Sequence, residues 1–239
     1  MMRQDQRGLV SCVLFDVDGT IAETEGQAHL PAFNFAMEEA GLRWRWDRAI
    51  YKDLLKTAGG LERLQRFAAE QGDTTENIRT LLAAVHQNKN RHFAAILASG
   101  AVAPRSGFRE LVMALARAEI TWGVVTTTSR GNWEALWRYS LAPLGLPAPS
   151  VIVCGEDVAA KKPDPEAYLL ALKRIGLPAE ACCAIEDSRN GLVAAQAAGL
   201  PVTIVRSVFF ADEDFSGASQ VVAELDELVE PISLRQMVR

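Results

Sequence analysis

The chain predicts an α/β fold, a parallel sheet covered on both faces by helices, with an α-helical cap domain inserted after the first strand. Three observations carry this. Short, nearly continuous apolar runs alternate with segments of helical periodicity, the pattern of strands buried on both sides. From about Gly26 to Gly100 the alternation stops, and only helical periodicity remains. Acidic and hydroxyl residues follow directly on the apolar runs, where an open α/β sheet gathers its ligands.

The first run, Leu9–Phe15, reads as a buried strand and ends in Asp16-Val17-Asp18-Gly19-Thr20. Leu30, Phe33 and Met37 then share a helical stripe, as do Leu61, Leu64 and Phe67. Ile78, Leu82 and Val85 begin a longer helix that runs toward Leu97. This helical stretch, residues 26–100, is expected to be a small bundle that covers the two aspartates as a lid. Residues 1–25 and 101–239 form the α/β core. Phe108, Leu111, Val112 and Leu115 mark its next helix, followed by strands over Ile120–Thr126 and Ser150–Cys154. Tyr168, Leu172 and Ile175 lie on another helix; Cys182–Ile185 and Val202–Val205 read as further strands. Gly199 stands where an alanine-rich helix needs a C-terminal cap.

Apolar residues make up 49% of the chain and charged ones 23%, the composition of a folded, soluble protein. A net charge of −5 argues against nucleic acid as a partner. No apolar run is long enough for a membrane span, and Met1–Arg7 leads into a strand without a secretory cleavage signal. Cys12, Cys154, Cys182 and Cys183 all sit in apolar runs without a C-x-x-C spacing, so they read as core thiols of a cytoplasmic protein. Adjacent Cys182 and Cys183 should point to opposite faces of their strand. Nothing in the sequence demands more than a monomer.

Four polar clusters follow strands. Asp16 and Asp18 would repel each other without a cation or a shared proton. Thr126-Thr127-Thr128-Ser129 offers hydroxyls and free N–H groups near a helix start, suited either to an anion or to capping. Lys162, held extended by Pro163, can neutralise phosphate and carboxylate charge. Glu186-Asp187-Ser188, followed by Asn190-Gly191, adds a second acidic pair. Two acidic pairs converging from separate strands suit Mg²⁺, which takes oxygen ligands and keeps several waters. Together these groups specify phosphoryl transfer to or from a small phosphorylated metabolite. Asp16 is the expected nucleophile and Asp18 the general acid, then base. Mg²⁺, Thr127 and Lys162 stabilise the transferring group.

These residues closely resemble the haloacid dehalogenase-like superfamily of aspartate-dependent phosphotransferases, whose four motifs occur here in order across nearly the whole chain. The resemblance implies a Rossmann-like parallel core with a type-1 cap. It implies metal ligation by Asp16, the carbonyl of Asp18 and Asp187, with Glu186 as a ligand or acting through water. More narrowly, Ala22-Glu23-Thr24-Glu25, His29, Ala32-Phe33-Asn34, Trp44-Arg45-Trp46-Asp47 and Gly59-Gly60-Leu61-Glu62-Arg63 resemble the CbbY group. That group is similar to β-phosphoglucomutase, and some members dephosphorylate xylulose-1,5-bisphosphate. Substrate contacts are accordingly expected from Glu25, His29, Arg63, Lys89, Thr128, Ser188 and Asn190. Two positions depart from the group: Leu30 and Leu61 stand where many members carry Arg and Lys. Arg45, Arg63 and Lys89 are the candidate replacements. A phosphosugar mutase is the alternative enzyme, and a non-catalytic sugar-phosphate binder the alternative from another class.

Overall fold

The computed structural model describes residues 10–229. Six strands form: β1 (Cys12–Phe15), β2 (Thr121–Val125), β3 (Val151–Val153), β4 (Cys182–Glu186), β5 (Val202–Val205) and β6 (Gln220–Val222). They make one sheet in the order β3-β2-β1-β4-β5-β6, every neighbouring pair parallel. β1 lies in the interior, with Phe15 beside Val124 on one side and Ile185 on the other. All the loops that leave carboxyl ends therefore open on one edge, and those after β1, β2 and β4 are neighbours there.

Alternate side chains serve two different cores. Val13, Phe15, Trp122, Val124, Cys183 and Ile185 face one apolar cluster. Cys12, Leu14, Val125, Cys182 and Ala184 face the other. The adjacent cysteines thus point to opposite faces, as expected, and all four cysteines are buried free thiols. In the first cluster Phe15, Phe108 and Trp122 pack edge to face, with centroids 5.6–6.0 Å apart.

The segment between β1 and β2 is helical: a π-helical turn at Glu25–His29, then α1 (Leu30–Glu39), α2 (Arg48–Leu54), α3 (Gly60–Glu70) and α4 (Glu76–Ala98). It has a core of its own, in which Phe33, Met37, Trp46, Tyr51, Leu64, Phe67 and Val85 meet. Asn34 clamps the backbone of Trp46 through two 2.8 Å hydrogen bonds, one donated and one accepted. Trp46 and Trp44 pack against Phe67, so both tryptophans hold the bundle together. Helix α2 escapes sequence periodicity because it is barely two turns long; its one local signal is Asp47, whose carboxylate caps Ile50 N–H.

The core continues with α5 (Phe108–Arg117), α6 (Arg130–Leu136), α7 (Glu166–Ile175) and α8 (Arg189–Ala197). Gly199 adopts φ +83° just past α8, as its position required. One strand expectation needs correction, and one strand was not expected. β1 begins at Cys12, so Val10 and Ser11 lie outside it, while Leu9 lies outside the described residues. β6 is an addition: a half-exposed edge strand of three residues gives no continuous apolar run to read. Buried Arg105 ties this edge to the centre, donating to the carbonyls of Gly19, Arg206 and Ala223 and to the carboxylates of Glu23 and Glu224.

Because Trp46 is 1% exposed in the centre of the cap core, Trp46→Ala should cost about 3–5 kcal/mol. Urea denaturation followed by circular dichroism will register the loss.

Candidate active site

The turn after β1 is set by Gly19. The N–H groups of Thr20, Ile21 and Ala22 all reach back to the carbonyl of Val17, while Gly19 N–H donates to Ala22 at 2.7 Å. Gly19 has φ +92°, and a Cβ there would run into the Asp187 carboxylate. Gly191, on the first turn of α8, meets the Glu186 carboxylate in the same way. Two glycines thus let backbone close over two acidic groups.

Asp16, Glu186 and Asp187 are all buried, and one oxygen from each falls within 4.8 Å of the others. Lys162 lies beside this cluster. Its ammonium donates to Asp16 at 2.7 Å, to Glu186 at 2.5 Å and to the Val125 carbonyl at 2.7 Å. Tyr168 donates its phenol to the same Glu186 oxygen at 2.6 Å. The other Glu186 oxygen, Oε2, and Asp187 Oδ2 are buried without a hydrogen-bond partner among the described residues. Burial raises the Asp16 carboxyl to about 8; the charges of Glu186 and Asp18 add to this, and Lys162 opposes it. Asp187 is likewise pushed well up, by burial first and then by Asp16 and Glu186. One lysine does not neutralise three buried acids. A divalent cation with oxygen ligands fits the remaining charge and the two orphaned oxygens.

Asp18 points elsewhere. Burial works against its ionisation, but His29 at 3.0 Å, Thr24 at 2.5 Å and the charge of Lys89 outweigh it and hold the carboxyl at about 2. Its side chain is thus directed to the cap rather than to the acidic cluster, and His29 stacks on Phe93 at 4.2 Å.

A cavity of about 450 Å³ lies between cap and sheet edge. It is lined by Asp16, Asp18, Glu25, His29, Arg63, Lys89, Thr127, Thr128, Lys162, Asp187, Ser188 and Asn190. Glu186 sits behind them, fully buried. Of the three threonines, Thr126 turns its hydroxyl to the N–H of Thr128, and Thr128 accepts from Asn132. Thr127 is the least buried of them and faces the cavity. Ser188 caps α8 through Gly191 N–H at 3.1 Å while lining the space.

The replacement cations differ from one another. Arg45 is exposed and does not line the cavity. Arg63 lines it but is already engaged with Glu25, the Tyr51 hydroxyl and the Thr57 carbonyl. Lys89 is 3% exposed, lies 5.1 Å from the rings of Phe33 and Phe93, and among the described residues has no carboxylate within ion-pairing distance. Leu30 packs into the cap core, whereas Leu61 lines the cavity as an apolar group. Sequence reading missed His86, Glu62, Lys161 and Phe210, which also line it. His86 and Glu62 lie on helix faces whose periodicity reports apolar residues only.

The haloacid dehalogenase-like hydrolase family model matches residues 10–199. The chain belongs to this family and is an enzyme, a hydrolase. Within the family it falls in the CbbY and β-phosphoglucomutase-like group. It is 42% identical to Protein CbbY of Cereibacter sphaeroides, over 92% of this chain and 94% of that protein. The crystal structure of CbbY from Rhodobacter sphaeroides in complex with xylulose-(1,5)bisphosphate matches with a TM-score of 0.87 at 40% identity, covering 95% and 99% of the two chains. A putative β-phosphoglucomutase from Thermotoga maritima matches at 0.67 and 26% identity, covering 92% and 97%. Among the described residues no helix is long and apolar enough to cross a membrane.

Burial lowers the Lys89 ammonium from 10.5 to about 7, against the pull of Asp18 and Glu25. Below pH 7 both folded and unfolded chains carry the proton, and the burial cost is complete. Between about 7 and 10.5 the unfolded chain binds the extra proton, so stability rises with pH. Lys89→Met should therefore stabilise the protein at pH 7 by a few kcal/mol, on the order of 1.4 per pKa unit. The gain should fade toward pH 10, as urea midpoints across pH will reveal, while activity falls.

Proposed function

We propose that this enzyme is a Mg²⁺-dependent phosphatase that hydrolyses a phosphorylated sugar through an aspartyl-phosphate on Asp16, with xylulose-1,5-bisphosphate as the leading substrate. The observation that carries the reading is the set of three buried carboxylates beside Lys162, at the floor of a cavity sized for a small metabolite. Asp16, Glu186 and Asp187, with the main-chain carbonyl of Asp18, would hold the ion. When bound, Mg²⁺ supplies the charge that lets these acids ionise together and polarises phosphoryl oxygens.

Lys162 orients Asp16 for attack on phosphorus and opposes the burial that disfavours its anionic form. Thr127, which lines the cavity, donates its hydroxyl to an equatorial oxygen. Asp18 protonates the departing sugar oxygen and later takes a proton from the attacking water. Paired with His29 it rests ionised, so it needs a proton before the first step; His29, in contact with it, is the group placed to pass one. The cap shields the phosphoaspartate from bulk water between the two steps. The resemblance to CbbY supports a sugar bisphosphate as substrate, and Lys89, buried with no carboxylate at ion-pairing distance among the described residues, supports an anion in the cap half.

Asp16→Asn should lower phosphate release by about 10⁴-fold or more, and chelation of Mg²⁺ should abolish it reversibly. Release that survives Asp16→Asn at the wild-type rate removes the nucleophile assignment. The likeness to a putative β-phosphoglucomutase keeps a mutase as the second reading. With β-glucose 1-phosphate, isomerised sugar phosphate would favour the mutase, whereas free phosphate is the outcome expected here.

A further inference from the structure

Across the mouth of the cavity, Lys161 of the core donates to Glu62 of α3 at 2.5 Å. The two residues are 99 positions apart and both line the cavity. Their side chains are 27% and 45% exposed, so the pair is wet and contributes little to holding the fold together. Its surroundings are nevertheless built to accommodate it. Gly59 has φ +98°, and a Cβ there would strike the Glu62 carboxylate and stand 2.5 Å from the Lys161 ammonium. Leu61, next to Glu62, presents no charge to the cavity.

We infer that Lys161 is a specificity-determining residue that leaves Glu62 to bind the second phosphate of a sugar bisphosphate, Glu62 serving as its resting counter-ion. This rests on the phosphatase reading above. Three features support the exchange. A phosphate dianion offers more charge and more acceptor oxygens than one carboxylate, so it competes well for a half-solvated ammonium. Lys161 directly precedes Lys162, whose ammonium is fixed on Asp16 and Glu186; the stem of Lys161 is therefore anchored at the reacting centre while its tip reaches the cap. Beside the pair, Lys89 and His86 complete a nitrogen-lined wall. Burial and the charge of Lys89 hold His86 at about 4, so it adds hydrogen-bonding capacity without repelling either lysine.

The test compares the Mg²⁺-loaded enzyme on xylulose-1,5-bisphosphate and on p-nitrophenyl phosphate, which has no second anionic group. Lys161→Ala should lower the ratio of kcat/KM for the bisphosphate over the monoester by about tenfold or more, chiefly through KM. Lys161→Arg should restore most of it, because a cation is retained. Glu62→Gln should leave the ratio unchanged or raise it, since it removes the competitor for Lys161. A ratio unaltered in Lys161→Ala overturns the assignment. A wild-type enzyme that cleaves p-nitrophenyl phosphate and no bisphosphate also overturns it, and places the fault in the substrate. No release from either compound would instead discard the phosphatase reading itself.

Discussion

The site depends on one electrostatic problem: three carboxylates buried within a few ångströms, with a single ammonium to offset them. Lys162 sits between Asp16 and Glu186 and makes the cluster tolerable, yet two acid oxygens remain without partners among the described residues. Everything nearby follows from this. Glycines at 19 and 191 allow backbone to close over acids where any side chain would collide. The Tyr168 phenol gives Glu186 Oε1 a second donor beside Lys162. The residual negative charge suits the floor to a divalent cation, and a cation there would in turn suit it to phosphate.

The cap solves the opposite problem. Lys89 lies among aromatic rings and, among the described residues, has no carboxylate at ion-pairing distance; Lys161 reaches up from the core to a cap carboxylate that water also touches. A negative floor and a positive roof give the cavity a polarity that a phosphorylated sugar can span. Asp18 stands between them, tied to the cap through His29 and Thr24 although it belongs to the sheet-edge loop. Any proton handled by Asp18 would therefore be tied to the position of the cap.

Much of this was legible in the chain. Strands betray themselves when both faces are buried, and the acidic and basic motifs follow them because sheet geometry puts every carboxyl end on one edge. Asp16, Lys162, Glu186 and Asp187 could thus be grouped without coordinates. Tyr168 could not: it sits on an apolar helical stripe, and only tertiary packing turns its hydroxyl to Glu186. His86 and Glu62 are polar residues on amphipathic helices, where a surface face and a cavity wall have the same periodicity. Arg63 looked like a free cation until Glu25 and Tyr51 were found around it. β6 and α2 are too short for periodicity to register.

Arg105 has a consequence for how change spreads through the molecule. One planar guanidinium joins the carbonyl of Gly19, in the reactive turn, to carbonyls after β5 and β6. The edge strand β6 thereby serves as a foundation for the loop that carries Asp16 and Asp18. Alterations that dislodge this edge would be felt as lost catalytic alignment before they were felt as lost structure.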